Sequence, residues 1–196
     1  MAKNERPYLV IIDPGHGGGD PGAVNDVVKL KESDINLQVA LLLERHVLDG
    51  DYLFRPYLTH RGAGMSLEGR CNLANGMKPD AFVSIHVNSA ENKEARGYEV
   101  WTSKGQTSAD SLATEIFWAL QTSMPQEHGR SDYDDGDVDK EKNFYVLRHT
   151  EAPAVLIELD FISNDERAEW LAHRANQEVL VREIAQSIEF WLEGGK

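Results

Sequence analysis

The amino-acid sequence predicts an α/β layer fold built around one sheet, within a single domain that spans residues 1–196. Short apolar runs alternate with longer amphipathic stretches along the chain, which is the pattern of strands followed by helices. The first apolar run, YLVII at residues 8–12, is β-branched and stops at Asp-Pro-Gly, as a central buried strand does. No internal repeat or linker interrupts the 196 residues, a length at which one domain can bury a substantial core.

The first half of the chain predicts three strands and two helices. Residues 32–48 carry Ile35 and Leu41 on the broad apolar face of a helix. Pro56 indicates that the strand around it lies at an edge or is irregular, because proline cannot donate a ladder hydrogen bond. Ser66 is a suitable N-cap for the second helix. The predicted elements are, in order, strand 8–12, helix 32–48, strand 52–60, helix 66–77 and strand 81–88.

The second half predicts three more strands and three more helices around a long acidic loop. Residues 123–142 are polar and nearly free of aliphatic side chains, which predicts a surface loop, and loops of this length tend to be functional or mobile. Ser163 and Glu166 have the spacing of a capping box before the helix that follows. The predicted elements are strand 97–103, helix 108–122, strands 144–149 and 154–162, and helices 167–173 and 176–192.

Composition excludes several functional classes. The formal net charge is −13, from 33 acidic and 20 basic residues, so nucleic acid and anionic membrane surfaces are poor partners. The single cysteine, Cys71, allows neither an intrachain disulfide nor a thiolate zinc site. The N-terminal apolar run stops at Asp13, which is too early for a signal peptide or a membrane-spanning helix. We therefore expect no membrane insertion, and either cytoplasmic synthesis with later release or removal of a targeting segment.

Three predicted strands deliver a metal ligand or an acid at their carboxyl ends, where functional groups gather in open α/β sheets. His16 follows the first strand, His86 ends the strand FVSIH, and Glu158 lies within VLIELD. Glu32 adds a fourth group at the start of the first helix. Two histidines and a glutamate suit Zn²⁺ in an open catalytic site with three protein ligands. A further carboxylate that is not a ligand could act as general base.

Each of these groups also has an ordinary structural explanation. His16 could be a turn residue, and Glu32 could interact with the helix dipole. The glycines around His16 could bind phosphate, but no Gly-Lys-Ser/Thr follows them. His86 shares the more polar face of its strand by alternation, which mildly favours function over a core role. Glu158 is the least ordinary of the four, because an unpartnered carboxylate in an apolar run would cost several kcal/mol to bury.

The ordered motifs of the chain resemble one known family. VIIDPGHGGGDPGA, KESDINLQVALLLE, LTHR, GRCNLANGMKPDAFVSIHVN, GYEVW, FYVLR and PAVLIELDFISN follow one another from about residue 8 to near the C-terminus. Their order is similar to that of the zinc-dependent N-acetylmuramoyl-L-alanine amidases of the amidase type 3 family. The resemblance implies a mixed six-stranded sheet flanked by helices on both faces. It also implies cleavage of the amide between N-acetylmuramic acid and the L-alanine of the peptidoglycan stem peptide.

The resemblance also implies roles for the four groups. His16, Glu32 and His86 match the family's zinc ligands, and Glu158 matches its catalytic glutamate. The implied mechanism is hydrolysis by water activated on one Zn²⁺ per chain, with Glu158 accepting the proton of that water and returning it to the departing amine. Two other functions stay open: another zinc peptidase acting on a different stem-peptide bond, or a non-catalytic wall-binding module.

Two weaker site expectations concern substrate contact. Asn88 follows His86 by two residues, and Asp160 stands where the family commonly has a small residue. Asp160 could raise the pKa of Glu158 or bind the substrate amine, although a simple strand-end role is the more ordinary explanation. The loop 123–142 is too short and too acidic for the inhibitory helical insert of some family members, so we expect an uninhibited enzyme. Peptidoglycan is the expected partner, the cell wall the expected place of action, and a monomer the expected state.

Overall fold

A mixed sheet between two layers of helices forms the core of the computed structural model, which describes residues 7–134 and 136–194. The strands are Tyr8–Pro14 (β1), Val24–Asn25 (β2), Leu30–Lys31 (β3), Phe54–Leu58 (β4), Ala81–Asn88 (β5), Glu99–Thr102 (β6), Lys140–Glu141 (β7) and Ala154–Phe161 (β8). The helices are Glu32–Asp49 (α1), Leu67–Met77 (α2), Asp110–Ser123 (α3), Tyr145–His149 (α4), Asp165–Ala172 (α5) and Arg174–Gly194 (α6).

Six strands pair in the order β4-β1-β5-β8-β6-β7, and β2 and β3 form a separate two-stranded hairpin. Strands β4, β1, β5 and β8 run parallel to one another, whereas β6 is antiparallel to β8 and parallel to β7. The mixed six-stranded sheet is therefore confirmed, and Pro56 lies in the edge strand β4 as its chemistry requires. Because four parallel strands end at the same edge, the side chains that follow them are brought together there.

The two faces of the sheet bury cores of different size. The larger core lies against α1, α3, α5 and α6, and strand residues such as Val83 and Ile85 point into it. The smaller core lies against α2 and α4 and receives Ile11 and Phe82. Since side chains alternate along a strand, His86 belongs to the same face as Phe82. None of the helices within the described residues is both long enough and apolar enough to cross a membrane.

The prediction of a strand at residues 144–149 is wrong. This segment forms helix α4, in which the adjacent residues Val146 and Leu147 are both buried in the smaller core. Two neighbouring side chains cannot face the same side of a strand, but they can share the inner face of a helix. A short apolar run does not distinguish these two cases, and packing against α2 decides between them.

The predicted capping box before α5 is also wrong. Asn164 is the N-cap, and its Oδ1 accepts a hydrogen bond of 3.2 Å from the Arg167 amide. The Ser163 hydroxyl accepts a hydrogen bond from the Ala90 amide instead, at 3.0 Å. Both side chains are plausible caps from the sequence, so a tertiary contact of Ser163 selects its neighbour for the capping role.

The acidic loop predicted at 123–142 contains two buried carboxyl groups, those of Glu127 and Asp139. Asp139 is 1% exposed, and its Oδ2 accepts a hydrogen bond of 2.6 Å from the Thr102 hydroxyl. Burial, together with the neighbouring Asp137, raises the pKa of Asp139 to about 7. When the pKa of a carboxyl group is higher in the folded than in the unfolded state, the folded protein loses stability as the pH rises from the unfolded-state pKa to the folded-state pKa.

We expect Asp139→Asn to flatten the dependence of stability on pH. The folded protein should lose stability between about pH 4 and pH 7, where Asp139 ionises more readily in the unfolded chain. Asparagine keeps an acceptor for Thr102 and carries no charge, so the variant should gain more melting temperature at pH 7.5 than at pH 4.5, by about 2 °C or more. Differential scanning fluorimetry at both pH values measures the difference. The exposed Asp134→Asn is the matched control, and an equal pH slope in wild type and Asp139→Asn would contradict the assignment.

Candidate metal centre

Three predicted ligands meet at the edge of the sheet where the parallel strands end. His16 follows β1 by two residues, His86 lies near the end of the neighbouring β5, and Glu32 is the first residue of α1. One ligand atom from each of the three side chains lies within 4.8 Å of the other two. Two nitrogens and a carboxylate oxygen are the donor set that open zinc sites use.

Glu32 is the common partner of the two histidines. Its Oε1 lies 3.2 Å from His16 Nε2 and 2.9 Å from His86 Nδ1. Its Oε2 accepts a hydrogen bond of 3.0 Å from the Ala23 amide. The hydrogen bond to Glu32 is the main reason that the pKa of His16 rises to about 9, with Asp20 adding to it against the effect of burial. Burial disfavours the Glu32 carboxylate, but its bonds to both histidines outweigh burial and lower its pKa.

Two glycines leave the space that this cluster occupies. A Cβ atom on Gly15 would overlap the His86 imidazole. A Cβ atom on Gly22 would lie 2.6 Å from Glu32 Oε2 and 2.7 Å from His16 Cδ2. Gly22 also has φ +64°, a conformation that glycine adopts without strain. Because Gly15 and Gly22 have no side chain, the three ligand side chains can come close to one another.

The backbone at His16 is held in an uncommon conformation by Arg70. His16 has φ +64°, in the left-handed region that costs a non-glycine residue energy. The Arg70 guanidinium donates hydrogen bonds to the carbonyls of His16 at 2.7 Å and Pro14 at 2.6 Å. It also pairs with the buried carboxylate of Asp13 at 2.6 Å. His60 Nε2 lies 2.9 Å from the same Pro14 carbonyl, so the turn is fixed on two sides.

Sequence reasoning assigned no function to Asp13, Asp20 or Arg70. Asp20 Oδ2 lies 2.8 Å from His16 Nδ1, which leaves the other ring nitrogen free to face Glu32. A carboxylate on the second nitrogen of a metal-binding histidine fixes the orientation of the ring. The position of Asp20 four residues after His16 is a usable signal for this role. Arg70 gives no local signal, because it lies 54 residues from His16.

Glu158 stands beside the cluster without being part of it. It pairs with His86 across β5 and β8 and with Glu99 across β8 and β6. Its Oε2 is buried and has no hydrogen-bond partner. Burial raises the pKa of Glu158 well above its usual value, and the negative charges of Glu32 and Glu99 raise it further. An unpartnered buried oxygen of this kind is free to accept a proton from a substrate or a water molecule.

Glu158 and the three ligand residues share one cleft of about 650 Å³. Besides these polar groups, the cleft is lined by larger apolar side chains that lie in or next to α2, α4 and β8. These wall residues are Met65, Leu67, Phe144, Tyr145, Val146 and Leu156. A concave, largely apolar surface with a few convergent polar groups is the usual form of a substrate site.

The two weaker site residues lie in different places. Asn88 lines the cleft, where its side chain donates to Glu99 Oε2 at 3.1 Å and accepts from the Ser89 amide at 2.8 Å. Asp160 is fully buried and does not line the cleft. It pairs with Arg167 at 2.7 Å and accepts a hydrogen bond from the Gly97 amide at 3.0 Å.

Simple alternation along β8 would place Asp160 on the same side as Glu158, but the register of the sheet changes between them. His86 pairs with Glu158, whereas Asn88 pairs with Phe161, so β8 contains one extra residue. A bulge of this kind redirects the side chains that follow it. Asp160 therefore lies outside the cleft in which the substrate contact was expected, and its ion pair with Arg167 ties β8 to α5.

The residues of the cluster fit a zinc ion on structural grounds. The donor atoms converge, their second-layer partner Asp20 is in place, and Gly15 and Gly22 exclude side-chain bulk. The cluster opens onto the cleft, which leaves room for a substrate group beside the three ligands. The geometry is therefore that of a catalytic rather than a closed structural metal site.

Known proteins of similar sequence and structure are amidases. A sporulation-specific N-acetylmuramoyl-L-alanine amidase of Bacillus subtilis is 33% identical over 92% of this chain and 66% of its own length. A probable cell wall amidase, LytH, of Staphylococcus aureus is 30% identical over 93% of this chain and 57% of its own. This chain thus spans somewhat more than half to about two thirds of these two relatives.

Solved structures agree with the sequence relatives. The N-acetylmuramoyl-L-alanine amidase from Clostridium difficile 630 superposes with a TM-score of 0.87 at 29% identity, covering 97% of this chain and 99% of that one. The catalytic domain of CwlV from Bacillus (Paenibacillus) polymyxa var. colistinus gives 0.84 at 28% identity, covering 95% and 98%. The family model of N-acetylmuramoyl-L-alanine amidases matches residues 10–190. This chain therefore belongs to the N-acetylmuramoyl-L-alanine amidase family.

Proposed function

We propose that this chain is a zinc-dependent peptidoglycan hydrolase that cleaves the amide between N-acetylmuramic acid and the L-alanine of the stem peptide. One observation carries the proposal: the convergent His16, Glu32 and His86 open onto a cleft in which Glu158 presents an unpartnered buried oxygen. Membership of the amidase family supports the choice of this bond. We further propose one Zn²⁺ per chain, a single catalytic domain over residues 1–196, and a monomeric state.

The chain's own residues supply the ligands and the proton transfer. Zn²⁺ held by His16, Glu32 and His86 would polarise the scissile carbonyl and lower the pKa of water toward roughly 7. Asp20 keeps His16 Nε2 directed at the cluster by holding Nδ1. Glu158 Oε2 accepts the proton of the attacking water and returns it to the alanine nitrogen as the amide breaks. The apolar walls around Phe144 and Tyr145 contact the glycopeptide.

The setting of the activity follows from its substrate. Peptidoglycan lies outside the cytoplasmic membrane, so we propose that the enzyme acts in the periplasm or extracellularly. Asn88 is retained as a weak candidate for substrate contact, because it lines the cleft although Glu99 and Ser89 already engage its side chain. Mass spectrometry of digested muropeptides tests the bond assignment, since only an amidase separates the intact peptide from the intact glycan.

Glu158→Gln should abolish turnover without loss of zinc. Glutamine keeps the shape of the side chain but cannot accept the proton, so we expect the rate to fall about 10²- to 10⁴-fold. The zinc content, measured by inductively coupled plasma mass spectrometry, should stay at that of wild type. The exposed Glu193→Gln is the matched control and should keep full activity. Full activity of Glu158→Gln would remove the residue from the mechanism.

His16→Ala and His86→Ala should each lose zinc and activity together. Each removes one of three protein ligands, whereas the exposed His173→Ala removes a histidine outside the cleft. Saturating zinc should raise the melting temperature of wild type and His173→Ala, because a ligand that binds only the folded state stabilises it. The same zinc concentration should produce little or no rise in the two ligand variants. A wild-type zinc stoichiometry in either ligand variant would refute the ligand set.

Arg70→Met should weaken zinc binding although Arg70 touches no ligand atom of the cluster. Losing its bonds to the His16 and Pro14 carbonyls frees the turn, and we expect zinc affinity to fall about 10- to 100-fold. Removing the partner of buried Asp13 should also cost about 3–5 kcal/mol of unfolding free energy. Competition with a chromophoric chelator measures affinity, and urea unfolding measures stability. The exposed Arg55→Met is the matched control. Unchanged zinc affinity in Arg70→Met would show that the turn at His16 keeps its conformation without Arg70.

A further inference from the structure

A rigid aromatic ledge, made of Trp101, Phe144 and Lys142, lies at the rim of the cleft. The Trp101 indole donates a hydrogen bond of 3.1 Å to Glu99 Oε2, which fixes its ring against the sheet. The Phe144 ring packs edge-on against it, with centroids 5.5 Å apart, and also lines the cleft. The Lys142 ammonium lies 4.8 Å from the centre of the Phe144 ring and 5.7 Å from that of Trp101. Cation–π contacts thus hold a positive charge beside the Phe144 ring, which lines the cleft.

Lys142 differs from the other cations nearby because its charge is unpaired. Lys140 and Arg130 both bind Glu99 Oε1, at 3.0 and 2.7 Å, so their charges are already neutralised. Lys142 forms no ion pair with a carboxylate of the described residues. Its backbone is fixed, since its amide donates to the Thr102 carbonyl at 3.1 Å and its carbonyl accepts from the Phe144 amide at 2.8 Å. A fixed backbone with an unpaired, exposed ammonium is available to an anionic ligand.

The ledge borders the cleft at Phe144, which lines it together with Glu158. In the proposed reaction Glu158 protonates the alanine nitrogen, so the stem peptide extends from the scissile bond past Glu158. Trp101 pairs with Leu156 across β6 and β8, and Leu156 lines the same cleft as Phe144 and Glu158. One residue spans about 3.3–3.6 Å of extended chain, so the second stem residue lies within roughly 7 Å of the scissile nitrogen.

We propose that Lys142 on the aromatic ledge forms a subsite for the carboxylate of the second stem-peptide residue. This inference rests on the proposed amidase function, and it adds that the enzyme prefers substrates whose second stem residue carries a free carboxylate. The chain carries a net charge of −13, and Glu32, Glu99 and Glu158 stand close together at this site. An anionic peptide entering such a site meets repulsion unless a free cation is placed on its path. Lys142 supplies that cation and disfavours peptides in which the carboxylate is amidated.

The experiment compares two synthetic substrates that differ by one group. Both are N-acetylmuramoyl tripeptides, and the second residue carries either a free carboxylate or a carboxamide. Wild type should have about a 10-fold higher kcat/KM for the carboxylate, mainly through a lower KM, because the contact lies away from the reacting atoms. Lys142→Met should remove this preference, because its kcat/KM for the carboxylate substrate should fall about 10-fold further than its kcat/KM for the carboxamide. Lys142→Arg should restore most of it. Lys104→Met, an exposed lysine beyond the end of β6, should keep the full preference.

Salt and binding measurements separate this inference from the function on which it rests. The wild-type preference should shrink between 50 and 500 mM salt, roughly the range in which exposed charges become screened, which a structural role would not reproduce. Substrate binding to the Glu158→Gln variant, measured by calorimetry with and without Lys142→Met, reports the subsite without turnover. A preference that survives in Lys142→Met, or an equal loss on both substrates, overturns the subsite. Carboxylate-selective binding without hydrolysis by wild type would instead overturn the amidase function and keep the subsite.

Discussion

The buried ion pair between Arg70 and Asp13 is the interaction on which the site depends. Asp13 is 1% exposed and also accepts hydrogen bonds from Thr59 at 2.6 Å and Ser84 at 2.8 Å. Removing two charges from water costs several kcal/mol, and such a pair persists only when further hydrogen bonds satisfy it. Here those bonds reach the Pro14 and His16 carbonyls. The hydrogen bonds that satisfy the buried pair therefore also hold the left-handed turn that directs His16 at Glu32.

A second constraint is the concentration of negative charge. Glu32, Glu99 and Glu158 lie on neighbouring elements, and each has a different means of accommodating its charge. The two histidines stabilise the Glu32 carboxylate, whereas Arg130 and Lys140 neutralise Glu99. Glu158 has no such partner, and burial favours its neutral form. The three carboxyl groups are therefore chemically distinct, and the proposed mechanism assigns metal binding to Glu32 and proton transfer to Glu158.

The register of the sheet decides where the carboxyl groups of Glu158 and Asp160 lie. His86 and Glu158 are directly paired, so Glu158 lies one strand spacing from the candidate metal cluster. The extra residue in β8 then turns Asp160 away, toward Arg167. Arg167 also lies 3.1 Å from Glu127, which pairs with Arg96, so an ion-pair network supports the loops behind the cleft. One bulge thus separates Glu158, which lines the cleft, from Asp160, which is buried and paired with Arg167 two residues later.

The sequence by itself determined the layered α/β fold, the alternation of most strands and helices, and the four candidate groups His16, Glu32, His86 and Glu158. It could do so because apolar periodicity, glycine-rich turns and a carboxylate in an apolar run are local patterns with direct physical meaning. It could not determine α4, the N-cap of α5 or the position of Asp160, because packing, a distant amide and a register shift decide them. Arg70, Glu99 and the ledge around Lys142 likewise escaped prediction. Each of these residues has a partner far away in the chain, which only the tertiary structure brings within hydrogen-bonding or ring-contact distance. These partners are His16 for Arg70, Arg130 for Glu99 and Trp101 for Lys142.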